Sequence, residues 1–111
     1  MKKCFKENTI VLIAFPFTNL TASKIRPALI IRDQVDDDLI CCPISSIFNR
    51  TRDDIEIKES DTKGFVFPIK SVVRIQKIFT LNMSLVRKKI GSLENKTYKI
   101  IKSGLVEFLQ T

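Results

Sequence analysis

Thr9-Ile10-Val11-Leu12-Ile13-Ala14-Phe15 is an almost unbroken apolar run, rich in β-branched residues and too short for a typical helix. It predicts a central strand, ended by Pro16. Working outward, the polar stretch 18–24 reads as a loop, and Pro27-Ala28-Leu29-Ile30-Ile31-Arg32 as a second strand, with Pro27 biasing Arg26 toward an extended backbone. A charged turn at 33–38 precedes a third strand, Leu39-Ile40-Cys41-Cys42-Pro43-Ile44, which ends at Ser45 and Ser46. Ile55-Glu56-Ile57-Lys58 alternates like a strand with one wet face. Lys63-Gly64 marks a turn, and Phe65-Val66-Phe67 and 71–81 give further strand signal, broken at Pro68. Five or six short strands joined by turns predict a small, strongly curved barrel or sandwich.

The period changes near the end of the chain. Apolar residues at 93, 98, 101, 105, 108 and 109 form one helical stripe, with Ser92 as N-cap and Glu94 in the first turn. This predicts a C-terminal helix packed on the sheet, in which Gly104 marks a break or a close approach. Met83 to Ile90 reads as a shorter helix ended by Gly91.

Composition narrows the functional classes. The 111 residues, 44% of them hydrophobic, fit one domain over residues 1–111 with one small core. The formal charge of +7 favours anionic partners. It is unevenly spread: 33–61 hold nine acidic and three basic side chains, whereas 62–102 hold ten basic ones and only Glu94 against them. Cys4, Cys41 and Cys42 lack metal-ligand spacing. Adjacent Cys41 and Cys42 would point to opposite sides of a strand, so they read as buried thiols of a reducing, cytoplasmic protein. Histidine is absent, which removes the commonest metal ligand and the usual acid–base residue. No metal and no cofactor is expected. No apolar run is long enough to span a membrane, and the first residues lack the apolar core of a signal peptide.

The chemistry-bearing residues gather at strand ends. Arg26 stands at the mouth of the second strand, where a permanent guanidinium can meet a phosphate. Pro43-Ile44-Ser45-Ser46 and Ser71-Val72-Val73-Arg74 supply hydroxyls and a second arginine. Together they suggest a site that grips or cuts RNA around Arg26, Ser45 and Arg74. Phe17 is positioned to stack on a base, Thr18, Asn19 and Lys24 belong to a loop that could gate a channel, and Ser46, Gln76 and Lys77 flank the candidates as RNA contacts. Each has a plainer alternative: Arg26 paired with a carboxylate at 36–38, the serines capping a turn, Arg74 and Arg87-Lys88-Lys89 as solvated side chains.

These stretches, in this order and spacing from about residue 6 to 110, resemble the MazF/PemK toxins of bacterial toxin-antitoxin systems. Thr9 to Leu20, Arg26-Pro27-Ala28-Leu29-Ile30, Pro43-Ile44-Ser45-Ser46, Ser71-Val72-Val73-Arg74, Phe79-Thr80-Leu81 and Lys89-Ile90-Gly91-Ser92-Leu93 carry the likeness. The resemblance implies an SH3-like barrel with a C-terminal helix, a homodimer, a cognate antitoxin protein as partner, and metal-independent cleavage of single-stranded RNA. In that chemistry the 2′-hydroxyl attacks the adjacent phosphorus and leaves a 2′,3′-cyclic phosphate. By the family's pattern Arg26 is the catalytic arginine, Ser45 stands where many members carry a threonine, and Arg74 matches a second arginine. The sequence departs from the pattern in three places. Asn8-Thr9 replaces a Gly-Asp pair, serine replaces threonine at 45, and Gln76 stands where some members have an aspartate proposed as base. An amide cannot serve as a proton acceptor near neutral pH, so the base has no assigned residue. The alternative is a binding protein on the same barrel, either an inhibitor of DNA gyrase like the CcdB toxins or a catalytically weakened relative.

Overall fold

The computed structural model describes residues 5–16, 23–33, 36–46, 53–65 and 70–110. The described chain is mostly β, with strands β1 (Thr9–Pro16), β2 (Ser23–Asp33), β3 (Asp38–Ser45), β4 (Ile55–Ile57), β5 (Thr62–Lys63), β6 (Ser71–Val73), β7 (Phe79–Asn82) and β8 (Val86–Leu93), then helix α1 (Asn95–Gln110). The strands form one antiparallel, nearly closed sheet in the order β4-β6-β3-β2-β1-β8-β5, with β7 also on β3. β1 is central, as its apolar run predicts, flanked by β2 and β8.

β3 bends the sheet. Its first half pairs with β7 and its last two residues, Ile44 and Ser45, pair with β6. The alternation of side chains along it therefore feeds two cores. Cys42 and Ile44 join Ile10, Leu29, Val73, Leu93, Tyr98 and Ile101 beneath α1. Cys41 and Leu39 join Val11, Ile13, Ala28 and Ile30 on the opposite face. Both thiols are free and buried, and burial pushes each up to about 12.

Two expectations are corrected. Met83 to Ile90 is not a helix: Met83–Leu85 is a 3-10 turn, capped by the Asn82 side chain accepting from Ser84 N, and Val86 onward is β8. The backbone of β8 pairs with β1 on one side and β5 on the other, and these tertiary ladders override local helical pattern. Gly91 accordingly lies inside a strand, where a Cβ would run into the Lys63 carbonyl oxygen and the Phe65 ring. Ser92 is not an N-cap either, because it is paired with Thr9 in β8. The helix starts two residues beyond the strand and is held there by Asp61, whose backbone oxygen accepts from Glu94 N at 2.8 Å and whose carboxylate accepts from Thr97 Oγ1 at 2.8 Å. Gly104 leaves α1 unbroken and marks a close approach, since its Cβ would sit 3.0 Å from Ile75 Cδ1.

The chain enters β1 through Asn8, which adopts φ 67°. This left-handed backbone suits glycine best and asparagine next. Asn8 Nδ2 donates to Leu93 O at 2.8 Å and its Oδ1 accepts from Leu93 N at 3.1 Å, while its own N–H donates to Ile31's neighbour, Ile30 O, at 2.8 Å. Next to it, Glu7 accepts from Tyr98 Oη at 2.8 Å and Lys102 Nζ at 3.0 Å, which holds its carboxyl below the usual range. Among the described residues, no helix is long and apolar enough to cross a membrane.

Candidate functional site

The site residues are set by strand register. The β2–β3 ladder runs Ile30 to Cys41, Leu29 to Cys42 and Ala28 to Pro43, and stops there. Continued by two residues, the same register sets Arg26 of β2 beside Ser45 of β3, where β3 leaves β2 for β6. Side chains opposite one another in an antiparallel pair lie on the same side of the sheet. Arg26 shares its face with Ala28 and Ile30, and Ser45 shares its face with Cys41, so both belong to the side away from α1. Arg26 is exposed and Ser45 half-buried.

Arg74 follows β6 on that same side. Ile44 pairs with Val73 and Ser45 with Val72, which brings Arg74 to Pro43, and Arg74 N donates to Pro43 O at 2.9 Å. Its guanidinium is not a solvated outward charge. Only 19% exposed, it faces Asp54, 5% exposed, with Nε 3.9 Å from Oδ2. This is an ion pair beyond hydrogen-bond length, in a setting where removing either partner would strand a buried charge. The pairing is again a matter of register: Ile55 lies opposite Val73 in β4 and β6, so Asp54 falls opposite Arg74.

Gln76 sits in the 3-10 turn Ile75–Lys77, and its Nε2 donates to Asp53 Oδ2. Asp53 and Asp54 also line an open pocket of about 410 Å³ with Ile55, Ile75, Gly104 and Phe108, on the helix side. Lys77 and Ser46 are exposed, at the end of that turn and just past β3. Lys24 lies in β2 with its backbone opposite Phe15. Phe17, Thr18 and Asn19, proposed for base stacking and gating, lie outside the described residues. Among the described residues no group of three or more Cys, Asp or Glu side chains could hold a metal ion.

Arg26 lies inside β2 opposite Ile13 of β1, and not at the mouth of a strand as the sequence predicts, while Ser45 ends β3 and Arg74 directly follows β6, so the set offers one hydroxyl and two guanidinium-bearing positions. Such a set can donate to the oxygens of a tetrahedral anion and offset its charge. Sequence reasoning missed the two aspartates that engage Arg74 and Gln76. The only trace of them in the sequence is that Asp53-Asp54 precedes a strand, and their partners are known only once β4 is paired with β6.

The same fold recurs in solved structures. The Mycobacterium tuberculosis toxin MazF-mt6 superposes with a TM-score of 0.72 at 15% identity, over 92% of this chain and 96% of that one. An endoribonuclease from Mycobacterial species gives 0.74 at 14% identity, over 97% and 93%. MazF in the MazE-MazF complex of Deinococcus radiodurans gives 0.72 at 16% identity, over 97% of each chain. No protein of curated function matches this chain by sequence at a significant level. The model of the PemK-like, MazF-like toxins matches residues 6–109, nearly the whole length over which strands β1 to β8 and α1 build the barrel, and so the chain belongs to that family of type II toxin-antitoxin toxins.

Proposed function

We propose that this protein is the endoribonuclease toxin of a toxin-antitoxin pair, cleaving single-stranded RNA without a metal. A 2′-hydroxyl attacks the neighbouring phosphorus, and a 2′,3′-cyclic phosphate and a 5′-hydroxyl are left. The observation that supports this reading most is the β2–β3 register, which, carried two residues past its last pair Ala28–Pro43, points exposed Arg26 toward Ser45. Arg26 donates to the scissile phosphate and offsets the charge that builds on it, while Ser45 Oγ donates to a second phosphate oxygen. Arg74 is paired with Asp54, which offsets its charge, so the cationic role falls to Arg26. Family membership supports an RNA substrate, and the net charge of +7 favours a polyanion.

The partners follow from the same membership: an antitoxin protein that covers the RNA-binding face, and a second copy of this chain. The solved Deinococcus radiodurans relative is a complex of MazE with MazF.

The test is incubation of purified protein with a long RNA in EDTA, followed by mapping of the ends. New cyclic-phosphate ends are the expected product. Arg26→Ala should lower the rate by about 10² to 10³-fold with the melting temperature nearly unchanged, because it removes one donor to the developing anion from an exposed position. RNA left intact by the wild-type protein would overturn the assignment; full activity in the variant would remove Arg26 from it.

A further inference from the structure

We infer that Glu56 is the proton acceptor of the cleavage site, an inference that rests on the ribonuclease reading above. Attack by a 2′-hydroxyl requires a group that takes its proton, and this chain has no histidine. Arginine stays protonated and a serine hydroxyl is a donor here, and an ionised carboxylate on the face that carries Arg26 and Ser45 is a ready acceptor.

Register decides among the carboxylates nearby. Asp53 is engaged by Gln76 and lines the pocket on the helix side. Asp54 lines that same pocket and is 5% exposed against Arg74. Asp38 opens β3 at its other end, where it lies opposite Asn82. Glu56 alone among these is exposed and in line: it pairs with Val72 of β6, and Val72 pairs with Ser45 of β3. One row across three strands therefore reads Glu56, Val72, Ser45, and Arg26 lies two residues past Ala28, the last β2 residue paired with β3. Its neighbours in β4, Ile55 and Ile57, pack into the core beneath α1, so alternation turns Glu56 to the opposite side, the side of Ser45 and Arg26.

The spacing suits the task. Two strand steps separate Glu56 from Ser45, about 10 Å between backbones in a flat sheet and less in a curved one. A phosphodiester held by Ser45 and Arg26 and a glutamate side chain reaching toward it from the other side span that gap. Glu56 takes the proton of the 2′-hydroxyl as the O2′–P bond forms. The P–O5′ bond breaks, O5′ takes a proton from water, and the hydroxide so formed is neutralised by the proton that Glu56 returns. No atom or charge is left over.

The test compares wild type, Glu56→Gln and Glu56→Ala in single-turnover cleavage of one RNA. Binding is measured separately on the same RNA with 2′-O-methyl riboses. Glu56→Gln should lose about 10² to 10³-fold in rate, the range of a positioned acid–base group, with binding within about twofold of wild type. Added formate should restore cleavage by Glu56→Ala in proportion to its concentration, which a purely structural carboxylate would not allow. Circular dichroism checks that both variants fold, as exposure on a three-residue strand at the end of the sheet leads us to expect. Wild-type cleavage with Glu56→Gln equally active removes Glu56 and leaves the ribonuclease reading intact. So does a slow variant that formate does not rescue or whose loss matches weakened binding. Failure of the wild type to cleave any RNA overturns both.

Discussion

Asn8 offers the sharpest test of how the barrel is closed, because one side chain does two separable things there. Its backbone at φ 67° costs an alanine about 1 kcal/mol or more relative to asparagine or glycine. Its amide also satisfies both backbone groups of Leu93, a residue with no exposed surface at the end of β8. Each of those hydrogen bonds is worth about 1 kcal/mol net, and somewhat more if the Leu93 groups are left dry. Asn8→Ala should therefore destabilise the protein by about 3 kcal/mol, and Asn8→Gly by about 2, since glycine accepts the left-handed backbone and loses only the hydrogen bonds. Urea unfolding monitored by tyrosine fluorescence and circular dichroism measures both, with equal m values confirming that the variants unfold the same way. If the two variants are equally unstable, the backbone contribution is absent. If Asn8→Gly matches wild type, the bonds to Leu93 carry no net stability, and the account of how β1 is tied to β8 fails.

Alkaline pH should weaken the fold. Burial raises the Cys41 and Cys42 thiols from 9.0 to about 12, and burial together with the Glu7 carboxylate raises the Tyr98 hydroxyl as well. Groups with raised folded values contribute their full stability below the unfolded value, so nothing is lost below about pH 9, and stability then falls as pH climbs toward 12. The loss should reach about 2 kcal/mol per thiol near pH 10.5, and a Cys41→Ala/Cys42→Ala double variant should show a shallower slope of melting temperature against pH. An unchanged slope would show that the thiols are not the titrating groups. Gly91→Ala should cost about 3 kcal/mol or more in denaturant unfolding, since the new methyl meets the Lys63 carbonyl and the Phe65 ring, and backbone cannot move aside as a side-chain tip can. Stability within about 0.5 kcal/mol of wild type would mean that β5 and β8 are not packed this closely.

Hydrophobic period alone determined the elements that dominate the core. Thr9 to Phe15 reads as a central strand and is one; of the helical stripe at 93, 98, 101, 105, 108 and 109, Tyr98, Ile101 and Leu105 are buried on α1, whereas Leu93 belongs to β8 and Leu109 is exposed. The adjacent thiols Cys41 and Cys42 enter opposite cores, as strand alternation requires. Local pattern failed where pairing partners decide: 83–90 carries a helix-like pattern, yet Val86 to Leu93 is held as a strand by β1 and β5, and Ser92 is in that strand instead of capping the helix. Asn8 takes a left-handed backbone that asparagine tolerates, and its amide adds bonds to Leu93 that a glycine would lack.

Arg26, Ser45 and Arg74 could be singled out by residue type and order before any coordinates, although β2 begins at Ser23 and encloses Arg26, which the sequence places at a strand mouth. How they lie relative to one another is not visible in one dimension, since it depends on which strands pair and in what register, down to pairs as far apart along the chain as Ile44 and Val73. For the same reason the row that ends in Glu56, and the pairing of Arg74 with Asp54 and of Gln76 with Asp53, belong to the tertiary structure alone. A one-residue slip in β4 would turn Glu56 into the core and Ile55 out of it, and it is the burial of Ile55 and Ile57 beneath the helix that forbids the slip.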